Sequence, residues 1–331
     1  MSIKDEIQGA SGYLKKVRDE YMPDTKKMAE LAFELYSEKV GVELTPEYVA
    51  ENADEVLRSL FLAETSIFQY KNDEIMHRVL PYYYSKVYGK SDEKYAETSA
   101  KIAELINIFD KCKESGYTVE MFIDEISKIT TPIIDTVSFS QKQSAKCRVG
   151  ETLQNHLANI FDICKVPYET QQQKVEGGTI MDFVIPNVAA IEKMPDQVIN
   201  IECQTTLKDR FRLTTGKSTD AKIKRYLATV TGAGIVTKRD LNDFSVDKIK
   251  EIIMDNNVTL VVFEDVKERI MKMLLSTKQK LEEGKFVNNA SITIDELDKL
   301  IKLSDKKIVK YSDLIKRDIE SVKSYWGVEM E

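Results

Sequence analysis

Residues 199–212 read INIECQTTLKDRFR, in which Glu202 and Gln204 stand two apart in a largely apolar run that ends in a burst of charge. On a β-strand, residues i and i+2 share a face. Asn200, Glu202 and Gln204 then lie on one side, with Ile199, Ile201 and Cys203 on the other. Upstream, Asp182 interrupts the run TIMDFVIP (179–186), sharing a face with Ile180 and Val184 while Met181, Phe183 and Ile185 point away. A carboxylate inside an apolar strand is costly to bury unless it is paired or bound to a cation. If the two runs are neighbouring strands, Asp182 and Glu202 converge. Together with the backbone carbonyl of Cys203 they make the hard-oxygen set that Mg²⁺ takes, with positions left over for water and phosphate. For these two residues alone the plainer reading is the stronger one: a turn-capping Asp182 and a solvated Glu202 on an edge strand.

The charge around this stretch is local. The chain carries a net charge of −7. Residues 1–140 hold 17 Lys+Arg against 26 Asp+Glu, which leaves residues 141–331 at +2. Within 204–225, seven basic residues (Lys208, Arg210, Arg212, Lys217, Lys222, Lys224, Arg225) face only Asp209 and Asp220. A basic stripe on an acidic chain suits a DNA-binding face, because phosphate contacts are local.

The elements that must position these residues come next. Apolar spacing of three and four in KKMAELAFELYSEKVG and KYAETSAKIAELINIFDKCKESG predicts helices, each ending at glycine. A Thr cap followed by Pro starts another in LTPEYVAENADEVLRSLFLAETSIFQY. The tyrosines at 82, 83, 84 and 88 sit in acidic surroundings and read as helix packing rather than base stacking. Residues 148–165 form an amphipathic helix with Leu153, Leu157, Ile160 and Phe161 on one side. Three β-like runs follow, at 179–186, 197–206 and 257–264, with helices expected at about 217–229 and 245–255. This gives an α/β domain from 141 to 331 with a helical tail from about 265, preceded by an all-helical domain over 1–140 for dimerisation or DNA embrace.

The order of these pieces resembles the PD-(D/E)xK superfamily, with Gln204 where the lysine is usual. More specifically, QTTLKDRFR is similar to the K-T-T-x-(K/R)-(D/E)-R-W-R segment of EcoRII-like type II restriction endonucleases that recognise CCGG or CC-N-GG. RVGETLQNHL resembles that group's helix ahead of the catalytic strands, and MDFVIPN stands where the group has P-D-F-x-(I/F)-P-S. The likeness spans roughly 147–268 and does not extend to 1–140 or to the tail. It implies a mixed central sheet flanked by helices, with Asp182 as the metal-binding aspartate and Lys208, Asp209 and Arg210 as the base-reading triplet. Arg and Lys donate to guanine O6 and N7, and a carboxylate accepts from cytosine N4, so an acid among bases fits a G·C reader. Arg212 is expected at phosphate or in support of the triplet.

Three positions depart from the pattern. Gln204 is neutral, and an amide orients water but cannot offset developing negative charge. The group's second acid falls at Lys217, while Glu202 restores an acid on the strand. Either Lys217 supplies the displaced ammonium or it contacts phosphate or solvent. The group's helical glutamate falls at Gln154, and Glu151, one turn back, is the candidate substitute. His156 matches a motif histidine and is read as structural.

The resulting expectation is a Mg²⁺-dependent endonuclease that cuts double-stranded DNA at a short palindrome containing CC and GG, acting as a homodimer with one subunit per half-site. A DNA-binding protein of the same fold that has lost cleavage through Gln204 is the alternative. A helical scaffold leaves 199–212 unexplained. The N-terminal stretch has no apolar run of signal-peptide length, and nothing later approaches a membrane span. Four cysteines without CxxC spacing and two histidines argue against zinc and for reduced thiols in a cytoplasm.

Overall fold

The structure is a computed structural model and describes residues 17–41, 43–87, 96–112, 116–170, 181–207, 222–234, 244–285, 292–323 and 326. The chain divides into two compact units, Met1–Leu31 with Glu64–Arg148 and Ala32–Ala63 with Val149–Glu331. The boundary expected at 140/141 is therefore displaced. Helix α5 (Val119–Ile163) runs through it, and residues 32–63 fold with the later part of the chain. Their contribution explains why: Tyr36, Val49, Val56, Leu57, Leu60 and Phe61 belong to the same buried cluster as the sheet.

The preceding helices are α1 (Thr25–Val40), α2 (Pro46–Glu51), α3 (Ala53–Val87) and α4 (Ala96–Lys111). Helix α1 stops at Gly41, whose φ of +63° an L side chain rarely adopts. At the start of α2 the Thr45 side chain accepts from the Tyr48 N–H, with Pro46 behind it. The first unit keeps a small core of Val17, Met22, Met28 and Ile75, and Arg148 donates to the Pro23 carbonyl at 2.6 Å within it.

The second unit holds a six-stranded sheet in the order β1 (Glu169–Thr170), β2 (Phe183–Ile185), β3 (Ile199–Gln204), β4 (Lys224–Thr229), β5 (Thr259–Val261) and β6 (Ile308–Val309). Strands β1 to β3 pair antiparallel and β3 to β6 pair parallel. Around it lie α6 (Ala189–Lys193), α7 (Val246–Lys250) with a π turn to Asp255, α8 (Glu264–Glu282) and α9 (Ile294–Lys307). The first turn of α9 carries a Thr293–Glu296 capping box. After β6 the Asp54 carboxylate accepts from the Ser312 N–H and hydroxyl at 3.0 and 2.9 Å, fastening the last helical segment.

Two expectations change here. The helix expected over 217–229 is strand β4 from Lys224 onward, and 217–221 lie outside the described residues. Tyr226, Leu227, Ala228 and Thr229 are all buried, as in a parallel strand covered on both faces, whose sequence shows no alternation to betray it. The tail from 265 is not purely helical, since Ile308 and Val309 add the last strand.

At β2 and β3 one face packs into the main core. Phe183, Ile185, Ile199 and Ile201 are fully buried with Leu153, Leu157, Ile160 and Phe161 of α5. Phe161 meets Phe183 edge-on at 5.3 Å. Each such side chain contributes about 1.5–3 kcal/mol when fully buried. Among the described residues, no helix is long and apolar enough to cross a membrane.

Candidate metal centre and nucleic-acid interface

Strands β2 and β3 pair through Phe183↔Ile201, Val184↔Asn200 and Ile185↔Ile199. One step further along this register, Asp182 stands opposite Glu202. The hydrogen bond from the Cys203 N–H to the Asp182 carboxylate holds that acid beside the Glu202–Cys203 step. Among the described residues of this run, alternation fails at Met181, which joins Val184, Ala190, Val198 and Ile223 rather than the Phe183 side. Met181 and Asp182 precede β2, so the period of two does not bind them.

Asp182 is held in place. Its Oδ2 accepts from the Cys203 N–H at 2.7 Å, and its backbone carbonyl accepts from Gln154 of α5 at 3.4 Å. A residue's N–H and C=O leave a strand on the same side. The Cys203 carbonyl is thus directed toward the Asp182 side as well. Burial pushes the Asp182 carboxyl above the usual range, and the Cys203 N–H opposes that rise. Glu202 is only 5 % exposed. The Cys203 thiol packs against the main core; burial raises it well above the ordinary thiol value, and the charges of Asp182 and Glu202 add to the effect. Two carboxylates in so dry a place repel, and a cation or a proton relieves them.

The donor set suits a hard divalent ion: two carboxylates and one directed carbonyl, all oxygen. Among the described residues, no group of three or more His, Cys, Asp or Glu side chains comes together. Gln204 follows on the same strand face, half-buried and level with Thr229 of β4. Helix α5 carries Gln154 to Asp182, while Glu151, one turn earlier, is exposed. His156 is fully buried and meets Phe61 edge-on at 5.1 Å. Lys208, Asp209, Arg210, Arg212 and Lys217 lie outside the described residues.

The segment that leads into the basic stretch is fastened by residues that sequence reasoning missed. Thr231 Oγ1 accepts from the Leu207 N–H at 3.0 Å and from the Thr229 hydroxyl at 2.9 Å, and Thr229 Oγ1 accepts from the Thr231 N–H. Thr229 and Thr231 are fully buried, so Thr205–Leu207 are anchored just before Lys208. The signal was the Thr-x-Thr spacing at the end of β4.

The mixed sheet flanked by helices is the PD-(D/E)xK restriction-endonuclease-like fold, and similar solved structures agree. The EcoRII C-terminal family matches residues 117–278, just under half of the chain. Metal-depleted Ecl18kI in complex with uncleaved DNA is similar with a TM-score of 0.60 at 17% identity, over 96% of this chain and 84% of that one. Ecl18kI with uncleaved, modified DNA gives 0.57 at 19%, over 94% and 89%. The restriction endonuclease PspGI with substrate DNA gives 0.53 at 15%, over 92% and 94%. No curated protein matches the chain. At these identities the solved structures show the fold, and the family match covers residues 117–278 alone.

Proposed function

We propose that the protein is a Mg²⁺-dependent type II restriction endonuclease that cuts double-stranded DNA at a short palindrome containing CC and GG, of the CCGG or CCNGG type. The observation that carries this reading is the Asp182 carboxylate fastened to the Cys203 N–H beside buried Glu202. Asp182, Glu202 and the Cys203 carbonyl would hold the ion. When bound, the ion supplies Lewis acidity to the scissile phosphate and lowers the pKa of water. Gln204 orients water on the same face, and Lys217 brings the ammonium that Gln204 lacks. Lys208, Asp209 and Arg210 read the G·C pairs, with Arg212 at the phosphates. The two-fold symmetry of a palindrome calls for a homodimer. Such an enzyme works in the cytoplasm, where its DNA is.

A cleavage-deficient DNA-binding protein is the second reading, favoured by Gln204 at the lysine position. Incubating purified protein with plasmid, with Mg²⁺ and with EDTA, separates the two. Discrete fragments that require Mg²⁺ support the endonuclease. Retarded but intact plasmid in Mg²⁺ supports the binder.

A further inference from the structure

Asn200 is the least expected residue in β3. It is only 3 % exposed, and its backbone neighbours Ile199 and Ile201 are fully buried. It shares a face with Glu202, stands opposite Val184 on β2, and is level with half-buried Arg225 on β4. Despite that neighbour, its side-chain carbonyl oxygen has no hydrogen-bond partner among the described residues. A buried acceptor left unpaired costs about 1–3 kcal/mol. A valine or isoleucine would satisfy the strand at no such cost, so packing does not account for an amide here. Along the strand, Asn200 stands two residues before Glu202, on the same face.

Resting on the metal-site reading above, we infer that Asn200 is a positioning residue of that site, its amide oxygen accepting a hydrogen bond from a water of the bound cation's hydration shell. A small divalent ion keeps several of its waters when only one or two carboxylates hold it. Outer partners of this kind typically govern affinity by 10- to 100-fold. Asp182 and Glu202 provide charge, and Asn200 sets where the hydrated ion sits between them. The acceptor finds its partner when the ion is present, which explains an oxygen that the described residues leave unserved.

The test uses the full chain without DNA and titrates Mn²⁺ by calorimetry or by loss of its free-ion magnetic resonance signal. Asn200→Leu is expected to weaken Mn²⁺ binding roughly 10-fold, while its melting temperature in EDTA holds or rises. Asn200→Asp keeps the shape and adds charge, and is expected to tighten binding; it decides the matter if Asn200→Leu does not fold. Unchanged Mn²⁺ affinity in the folded variants would overturn the inference. Asp182→Ala in the same titration keeps the two ideas apart. Loss of binding there, with none in Asn200→Leu, sinks only the role of Asn200. Binding that survives Asp182→Ala removes the metal site itself.

Discussion

The two faces of β2 and β3 are built for opposite purposes. On one, Phe183, Ile185, Ile199 and Ile201 are sealed against α5. On the other, Asp182, Asn200, Glu202 and Gln204 follow one another, and Asn200 and Glu202 are almost equally sealed. The same dryness that stabilises the apolar face strains the polar one, because a buried charge is unfavourable until something offsets it. Substitutions on the first face should therefore act on stability, and substitutions on the second on ion binding and rate.

The largest effect is expected from Glu202→Gln, which preserves shape and removes charge. Mg²⁺-dependent plasmid cleavage should fall to background, while the melting temperature stays level or rises. Cleavage at the parental rate would take Glu202 out of the site. Next in size, Phe183→Ala on the opposite face should cost about 3–5 kcal/mol in urea unfolding. The folded fraction should still bind Mn²⁺ with unchanged affinity. A loss of that affinity with stability intact would show that the faces are not separate.

Much of this division is legible in the sequence, because a period of two needs no knowledge of neighbours. Spacing sets Glu202 and the apolar row on opposite faces of their strand, while the pairing of β2 with β3 is seen only in the register. Elsewhere long-range packing intervened. Strand β4 is covered on both faces and loses its alternation, so its basic start read as the end of a helix. Strand β6 is two residues inside a helical tail and gains its meaning only from pairing with β5. Residues 32–63 look like the helices before them, and only their burial beside the sheet assigns them to the second unit. In sequence Asn200 is one more strand residue, and only the structure shows its side-chain oxygen without a partner among the described residues.

A smaller and more selective effect concerns the position where a lysine is usual. Lys217→Ala should lower the single-turnover rate by about 10²-fold, as loss of a transition-state charge partner commonly does. Gln204→Lys should bring little gain while Lys217 remains. A large acceleration by Gln204→Lys, with no rate loss from Lys217→Ala, would show that the positive charge had not moved.

The smallest expected signal comes from Cys203, whose backbone serves one face and whose thiol belongs to the other. Because burial and the two carboxylates disfavour the thiolate, alkylation in the native protein should be slow at neutral pH. It should keep rising with pH, without a plateau at the ordinary thiol value of 9.0. Exposed Cys112 should react ahead of it. Rapid labelling of Cys203 at pH 7 would place its thiol on the wet side.

The most direct test forms the complex of protein and a duplex containing the CC/GG site in Ca²⁺, then adds Mg²⁺ and follows a single turnover. The parent protein should cut the bound duplex. Asp182→Ala should bind it with similar affinity and leave it whole, since the carboxylate holds the ion and touches no base. Cleavage by Asp182→Ala at the parental rate would contradict the account, because the acid fastened to the Cys203 N–H would then have no part in the chemistry.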